Sequence, residues 1–421
     1  MSHPANFLAL RVDLDTGSSD FWVFSTLLTH KVVEQASQRH TIFDPKKSHS
    51  WHWPHHPFWR PRKDLEWDIE YGDGSSASGI VGFDDVTLGS IKITKQAVQL
   101  AKYFSGKQFR DGSADGILGL AFGHLNSVTH DGISEPVATP LENMVKQNLL
   151  PEMLFTVFLG SECFFTFGFV DEETKRKREI HWVEVDSRGG FWNFSSKYAR
   201  VGNKLFKRGG GCAIADTGSS IILTHPHIVW MIYKQIKGAK YDNKQPGWVY
   251  PMDSEVPEVS FSVGDDDSCM ITISPEHMHH SDVGGGFYFG SIQENPAYDS
   301  GGLQFDIFGT PFLRQVYAIF DLKGTRFGVI KNVDEEVPML RELIVESPTT
   351  MSSAGTVGED DEIEDSVDGS ITEAYPRRTG TMDSEIVNLT IPEEGNEGDT
   401  TVVAESSHVD SGTALGEPVS V

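Results

Sequence analysis

Two stretches of this chain repeat each other: Arg11-Val12-Asp13-Leu14-Asp15-Thr16-Gly17-Ser18-Ser19 and Cys212-Ala213-Ile214-Ala215-Asp216-Thr217-Gly218-Ser219-Ser220. Each is a short apolar run that ends in Asp-Thr-Gly-Ser-Ser. One such turn says little, because Asp, Thr, Gly and Ser are ordinary turn residues. Two copies 201 residues apart, each fed by a strand-like run, point to an internally duplicated fold in which two like halves each present one loop. Length agrees, since 421 residues exceed what one hydrophobic core usually serves; two lobes and an extra segment are expected.

Each loop is answered far downstream by two apolar residues and a glycine. Ala114-Asp115-Gly116-Ile117-Leu118-Gly119 places Gly119 104 residues after Asp15, and Phe305-Asp306-Ile307-Phe308-Gly309 places Gly309 93 residues after Asp216. Between the first pair lies Trp67-Asp68-Ile69-Glu70-Tyr71-Gly72-Asp73-Gly74-Ser75-Ser76-Ala77-Ser78-Gly79, two strand-like arms about a turn. Together these motifs resemble those of the pepsin-like aspartic proteases, most of all the fungal secreted type, over about residues 6 to 331.

The resemblance implies an all-β, bilobal fold with a few short helices, with an N-terminal lobe over 1–172 and a C-terminal lobe over 173–331. It implies an aspartic endopeptidase that acts on peptides or unfolded proteins as a monomer, secreted or vacuolar, with no cofactor and no metal. Asp15 and Asp216 become the catalytic pair. Two unit charges about 3 Å apart at an effective dielectric of ~20 repel by roughly 5 kcal/mol, so they cannot both ionise near neutrality. One proton is then shared, and one carboxylate activates a water while the other donates to the substrate carbonyl. A carboxyl dyad sharing one proton is best known from this very family, so that logic comes with the resemblance.

By the same resemblance Gly17 and Gly218 let backbone approach the carboxylates, and Ser18 and Ser219 donate to their outer oxygens. Tyr71, Gly72 and Asp73 belong to a flap that closes on the substrate, and Trp22 hydrogen-bonds the flap tyrosine. Ile214 and Phe191 are expected as apolar subsite walls. A family phenylalanine aligns with Gln108, leaving open whether Phe109 replaces it. Thr310 stands where the second lobe commonly has Asp. A rival reading is a catalytically impaired relative that binds peptides without cutting them; its mark would be a replaced dyad aspartate, and both are present.

Charge argues against nucleic acid as a partner, with 61 acidic against 35 basic residues. The excess is uneven: residues 332–421 hold 22 acidic and 3 basic residues, without a sustained apolar period, and read as a disordered acidic tail with no enzymatic role. No apolar run reaches the ~18 residues of a membrane span, so no membrane anchor is expected. Met1-Ser2-His3-Pro4 does not open like a signal peptide. The family's upstream strand has no counterpart before Phe7, which predicts an open sheet edge in the first lobe. Cys163, Cys212 and Cys269 fit no metal spacing and read as thiols, with Met252 and Tyr288 where the fungal enzymes place a disulfide. The run His49 to Lys63, with His52, His55 and His56 among three prolines, reads as an exposed loop. Asn193-Phe194-Ser195 and Asn388-Leu389-Thr390 match the glycosylation tripeptide.

Overall fold

The computed structural model describes residues 7–54, 65–160, 163–208, 210–300, 305–331 and 386–392. The first half is built on six strands: β1 (Phe7–Asp15), β2 (Phe21–Phe24), β3 (Leu65–Glu70), β4 (Ser76–Leu88), β5 (Ile91–Ser105) and β6 (Gly116–Gly119). Along β1, Leu10, Val12 and Leu14 are buried while Ala9 and Arg11 are not, the period-2 pattern of a strand with one covered face. β1 runs parallel to β6, with Asp15 opposite Gly119, and β6 is antiparallel to β2. β2 is parallel to β5, which pairs antiparallel with β4, and β4 turns back on β3.

The second half repeats this plan. Cys212–Ala215 runs parallel to Asp306–Phe308, which is antiparallel to Ile222–Thr224, itself parallel to Ile292–Glu294. The duplication seen in two short loops thus extends to the sheets that carry them.

A third sheet takes strands from both halves, in the order Cys163–Phe167, Leu154–Leu159, Val316–Asp321, Arg326–Lys331, His181–Glu184. Two of its inner strands, Leu154–Leu159 and Val316–Asp321, are buried at every position, which explains their near-continuous apolar character. Phe155 stacks on Phe320 at 4.5 Å, and Trp192 meets both rings at 5.8 and 5.1 Å. The Trp192 indole N–H also donates to the Leu120 carbonyl at 3.0 Å, tying the second half to the strand end that follows β6.

The helices read from the sequence form where their caps place them. Thr139 Oγ1 accepts from Glu142 N, and Glu142 Oε2 accepts from Thr139 N, a capping box that starts Pro140–Lys146. Pro226–Tyr233 buries Ile228, Ile232 and Tyr233. No helix among the described residues is long and apolar enough to cross a membrane.

Four expectations are corrected or completed by the structure. The open sheet edge beside β1 is occupied: Ile386–Pro392, from the stretch read as a disordered acidic tail, pairs antiparallel with β1 and also meets β4. The physical reason is the local sequence Ile-Val-Asn-Leu-Thr-Ile-Pro, whose alternation suits a strand even inside an acidic chain. Residues 332–385 and 393–421 lie outside the described residues. The His-rich run is anchored at its start, where His52 bridges to Phe83 and Trp51 packs at Gly82, leaving no room there for a Cβ; His55, His56 and the rest to residue 64 lie outside the described residues. Both glycosylation tripeptides fall in strands, Asn193–Ser195 and Ile386–Pro392. No disulfide joins Cys163, Cys212 and Cys269.

Candidate active site

Each Asp-Thr-Gly-Ser loop closes on its own carboxylate by the same two bonds. Asp15 Oδ1 accepts from Gly17 N at 2.7 Å and Oδ2 from Ser18 Oγ at 2.5 Å. Asp216 Oδ1 accepts from Gly218 N at 3.0 Å and Oδ2 from Ser219 Oγ at 2.8 Å. The serine and glycine expectations therefore have a direct geometric basis, with both carboxyl planes fixed by backbone and hydroxyl donors.

The loops face each other. A Cβ on Gly17 would lie 2.6 Å from Asp216 Cγ, and one on Gly218 would lie 2.7 Å from Asp15 Cγ. Each glycine is thus required by the opposite loop's carboxyl, a close approach that any side chain would block. Both aspartates are buried, at 6% and 8% exposure. Burial, then the neighbouring Asp15 charge and the hydrogen bond between the two side chains, push the Asp216 carboxyl up to about 7, against the lowering effect of Ser219 and the Gly218 amide.

The threonines of the two loops carry a role that the sequence reading left unassigned. Thr16 N donates to Thr217 Oγ1 at 3.0 Å and Thr217 N to Thr16 Oγ1 at 2.9 Å. The hydroxyls in turn donate to the Ala215 and Leu14 carbonyls at 2.9 and 2.5 Å. This buried lattice crosses between halves and joins the residues on either side of the two aspartates.

The downstream glycines serve the same loops from below. A Cβ on Gly119 would stand 2.5 Å from Ser19 Cα, and one on Gly309 would collide with the Ser219 and Ile221 carbonyls. Leu120 N donates to the Asp15 carbonyl at 2.7 Å, and Thr310 N to the Ser219 carbonyl at 2.7 Å. Thr310 therefore supports its loop through its backbone, which needs no carboxylate. Asp20 is a second residue that sequence reasoning missed. It is fully buried behind the first loop, where it accepts from Gln99 Nε2 at 2.7 Å, Ser127 Oγ at 2.8 Å and Asn126 Nδ2 at 3.2 Å. Burial pushes its carboxyl above the usual range.

β3 and β4 pair as the hairpin that the resemblance reads as a flap. Tyr71 N donates to the Ser75 carbonyl and Gly74 N to the Tyr71 carbonyl, both at 2.8 Å, with Gly74 in the left-handed region at φ 80. The Trp22 indole donates to the Tyr71 hydroxyl at 2.8 Å, as expected from the resemblance. Desolvation, together with the Asp15 charge, pushes the Tyr71 phenol well above its ordinary value, so it stays protonated. Phe109, beside Gln108, holds its ring 5.1 Å from Trp22 and 5.6 Å from Tyr71. At the flap tip Gly72 is exposed, and Asp73 Oδ1 accepts from Ser75 N at 3.0 Å and Ser75 Oγ at 2.7 Å. In the second half, Phe191 is half-buried with its ring 5.3 Å from Phe305, and Ile214 is buried two residues before Asp216.

Two half-sites of like construction, each holding one carboxyl against the other, define a dyad of the acid-protease kind. Residues 5–331 match the eukaryotic aspartyl protease family, and the chain belongs to it. It is similar to aspergillopepsin-1 of Aspergillus oryzae, with 35% identity over 321 residues that span 76% of this chain and 75% of that protein. Penicillopepsin-1 of Penicillium rubens is 36% identical over 329 residues, spanning 76% and 74%. Aspartic protease pepA of Arthroderma gypseum is 32% identical over 335 residues, spanning 76% of each. The chain is an aspartic endopeptidase of the fungal pepsin-like type.

Proposed function

We propose that Asp15 and Asp216 share one proton and together activate a water against the scissile carbonyl of a peptide or unfolded protein. The observation that carries this reading is reciprocal: each loop's glycine lies against the other loop's carboxyl, which puts the two buried aspartates face to face. The ionised member takes a proton from water while the protonated member donates to the carbonyl oxygen, and the roles reverse as the tetrahedral species collapses. Since titration belongs to the pair, the useful quantity is the pH at which its last proton leaves. With Asp216 pushed up to about 7, cleavage is expected to fall as pH rises through that value, about tenfold per unit above it. Initial rates on a denatured protein from pH 3 to 9 check this; a plateau extending past pH 8 contradicts proton sharing.

Tyr71 and Gly72 are proposed to close over the peptide, and Phe191 and Ile214 to border its leaving-group side. The lobes are taken as 1–172 and 173–331, acting as a monomer in a secreted or vacuolar setting. These assignments follow the family resemblance and the placement of the named residues about the dyad.

Asp73 is proposed to tune specificity before the scissile bond. Its Oδ1 holds the turn, while Oδ2 takes neither Ser75 bond and stands available to a substrate lysine. An exposed ion pair contributes roughly 0.2 to 1 kcal/mol, so Asp73→Ser should lower cleavage after lysine relative to leucine by up to about fivefold. Matched peptides differing only at that position measure it. Equal loss on both peptides would make Asp73 a turn residue alone.

A further inference from the structure

The sheet of the first half would be open between β1 and β4 without Ile386–Pro392. This tail strand lies antiparallel on β1, from Phe7↔Pro392 to Asp13↔Ile386, and its middle meets β4 at Leu389↔Leu88 and Thr390↔Thr87. The run from the tail strand through β1, β6, β2, β5 and β4 thereby returns to the tail strand and closes. Closure removes two rows of unpaired backbone groups, which an open edge would expose to pairing with other chains.

Internal duplication gives an independent reason to assign a strand there. In the second half, Asn193–Ser195 lies antiparallel on the outer side of Cys212–Ala215, with Asn193↔Ile214, Phe194↔Ala213 and Ser195↔Cys212. The 201-residue offset between the two loops turns Ile214, Ala213 and Cys212 into Asp13, Val12 and Arg11. Their partners are Ile386, Val387 and Asn388. The tail strand therefore holds, register for register, the place that a neighbouring strand holds in the other half.

Sequence and register also agree. Val387, Leu389 and Ile391 stand opposite Val12, Leu10 and Leu8, while Asn388 and Thr390 stand opposite Arg11 and Ala9. Val12 and Leu10 are fully buried and Ala9 is exposed. A one-residue slip would reverse this match of apolar to covered positions. Residues 332–385 supply ample chain, at up to about 3.3 Å per residue, to bring the strand back from Lys331.

We infer that the outer edge of β1 is a strand-acceptor site for an extended peptide with alternating apolar residues, and that Ile386–Pro392 of the same chain is its occupant. Because β1 ends at Asp15, the occupant braces the strand that carries half of the dyad. The acidic tail is then a tether with a structural anchor in it.

The test uses the full chain with Ala9→Cys and Thr390→Cys. Directly opposed antiparallel residues have Cα atoms about 4.5 to 5.5 Å apart, within the span of a disulfide. Mild oxidation should form an intrachain 9–390 bond, mapped by mass spectrometry, at least tenfold faster than in an Ala9→Cys, Ser366→Cys control. In parallel, Leu389→Pro, which deletes a backbone donor from the strand, should raise hydrogen exchange at Leu10, Val12 and Leu88 amides at least tenfold while sparing Asn193–Ser195. Equal cross-linking in the control, or unchanged exchange in Leu389→Pro, overturns the assignment. A 9–390 bond formed only between differently tagged chains gives the edge to a second copy and overturns it likewise. Neither readout involves cleavage, so failure here is distinct from failure of the proposed dyad chemistry.

Discussion

Asp216→Asn, and separately Asp15→Asn, should reduce kcat/KM on a denatured protein substrate by about a thousandfold or more, because general acid and general base are then no longer interchangeable. Asn keeps the shape and one acceptor for the Gly218 amide, so the fold should persist. The Asp216 variant should also change how stability depends on pH. A carboxyl held at about 7 in the folded chain and near 3.8 in the unfolded chain must take up a proton on folding between those values. Its stabilising contribution is complete below about pH 3.8 and is lost as pH rises through about 7. Asp216→Asn has no such proton, so its melting temperature should rise relative to the parent across that window, a difference on the order of a few kcal/mol. Circular dichroism melts at pH 4, 5.5 and 7 on both proteins measure it. Turnover at the parent rate by either Asn variant, or parallel melting curves at all three pH values, would overturn the assignment.

What could be read without the structure was chemistry written into short, local patterns. Asp15, Gly17 and Ser18 form one turn, so the bonds from Gly17 and Ser18 to Asp15 follow from sequence neighbours. Trp22 and Tyr71 came from the family resemblance, and their bond was expected. The threonine lattice was not legible, because each Thr finds its partner 201 residues away and nothing in a single DTGS copy shows that the hydroxyl points across. Asp20 was missed for a similar reason. Its partners Gln99, Asn126 and Ser127 are scattered, and beside two aspartates already expected as the dyad a third reads as an ordinary turn residue. Phe109 could not be separated from Gln108, since a one-residue choice of register in the short helix Lys107–Asp111 decides which side chain meets Tyr71. The tail strand was lost to composition. Seven alternating residues carry little weight in an acidic stretch of ninety, and the pairing that fixes them is with β1, at the other end of the chain.

Thr217→Val should damage the enzyme more than its distance from the chemistry suggests. The Thr217 hydroxyl accepts from Thr16 N at 3.0 Å and donates to the Leu14 carbonyl at 2.5 Å, and all of these groups are buried. Valine fills nearly the same volume, so the change leaves a backbone N–H and a carbonyl without partners while adding no cavity. Each such group costs about 1 to 3 kcal/mol, which puts the expected loss of stability at roughly 2 to 6 kcal/mol. The orphaned carbonyl belongs to Leu14 and the orphaned amide to Thr16, the residues on either side of Asp15. The first carboxyl should therefore lose its fixed distance to Asp216, and kcat should fall by one to two orders of magnitude, since small misplacements of reacting groups carry large rate penalties. Thr217→Ser keeps the hydroxyl and should restore most of both properties. A double cycle with Thr16→Val separates coupling from simple loss, because the two hydroxyls serve one lattice and their effects should not add. Valine at 217 with parent-like stability and kcat would mean that the loops are held apart by packing alone.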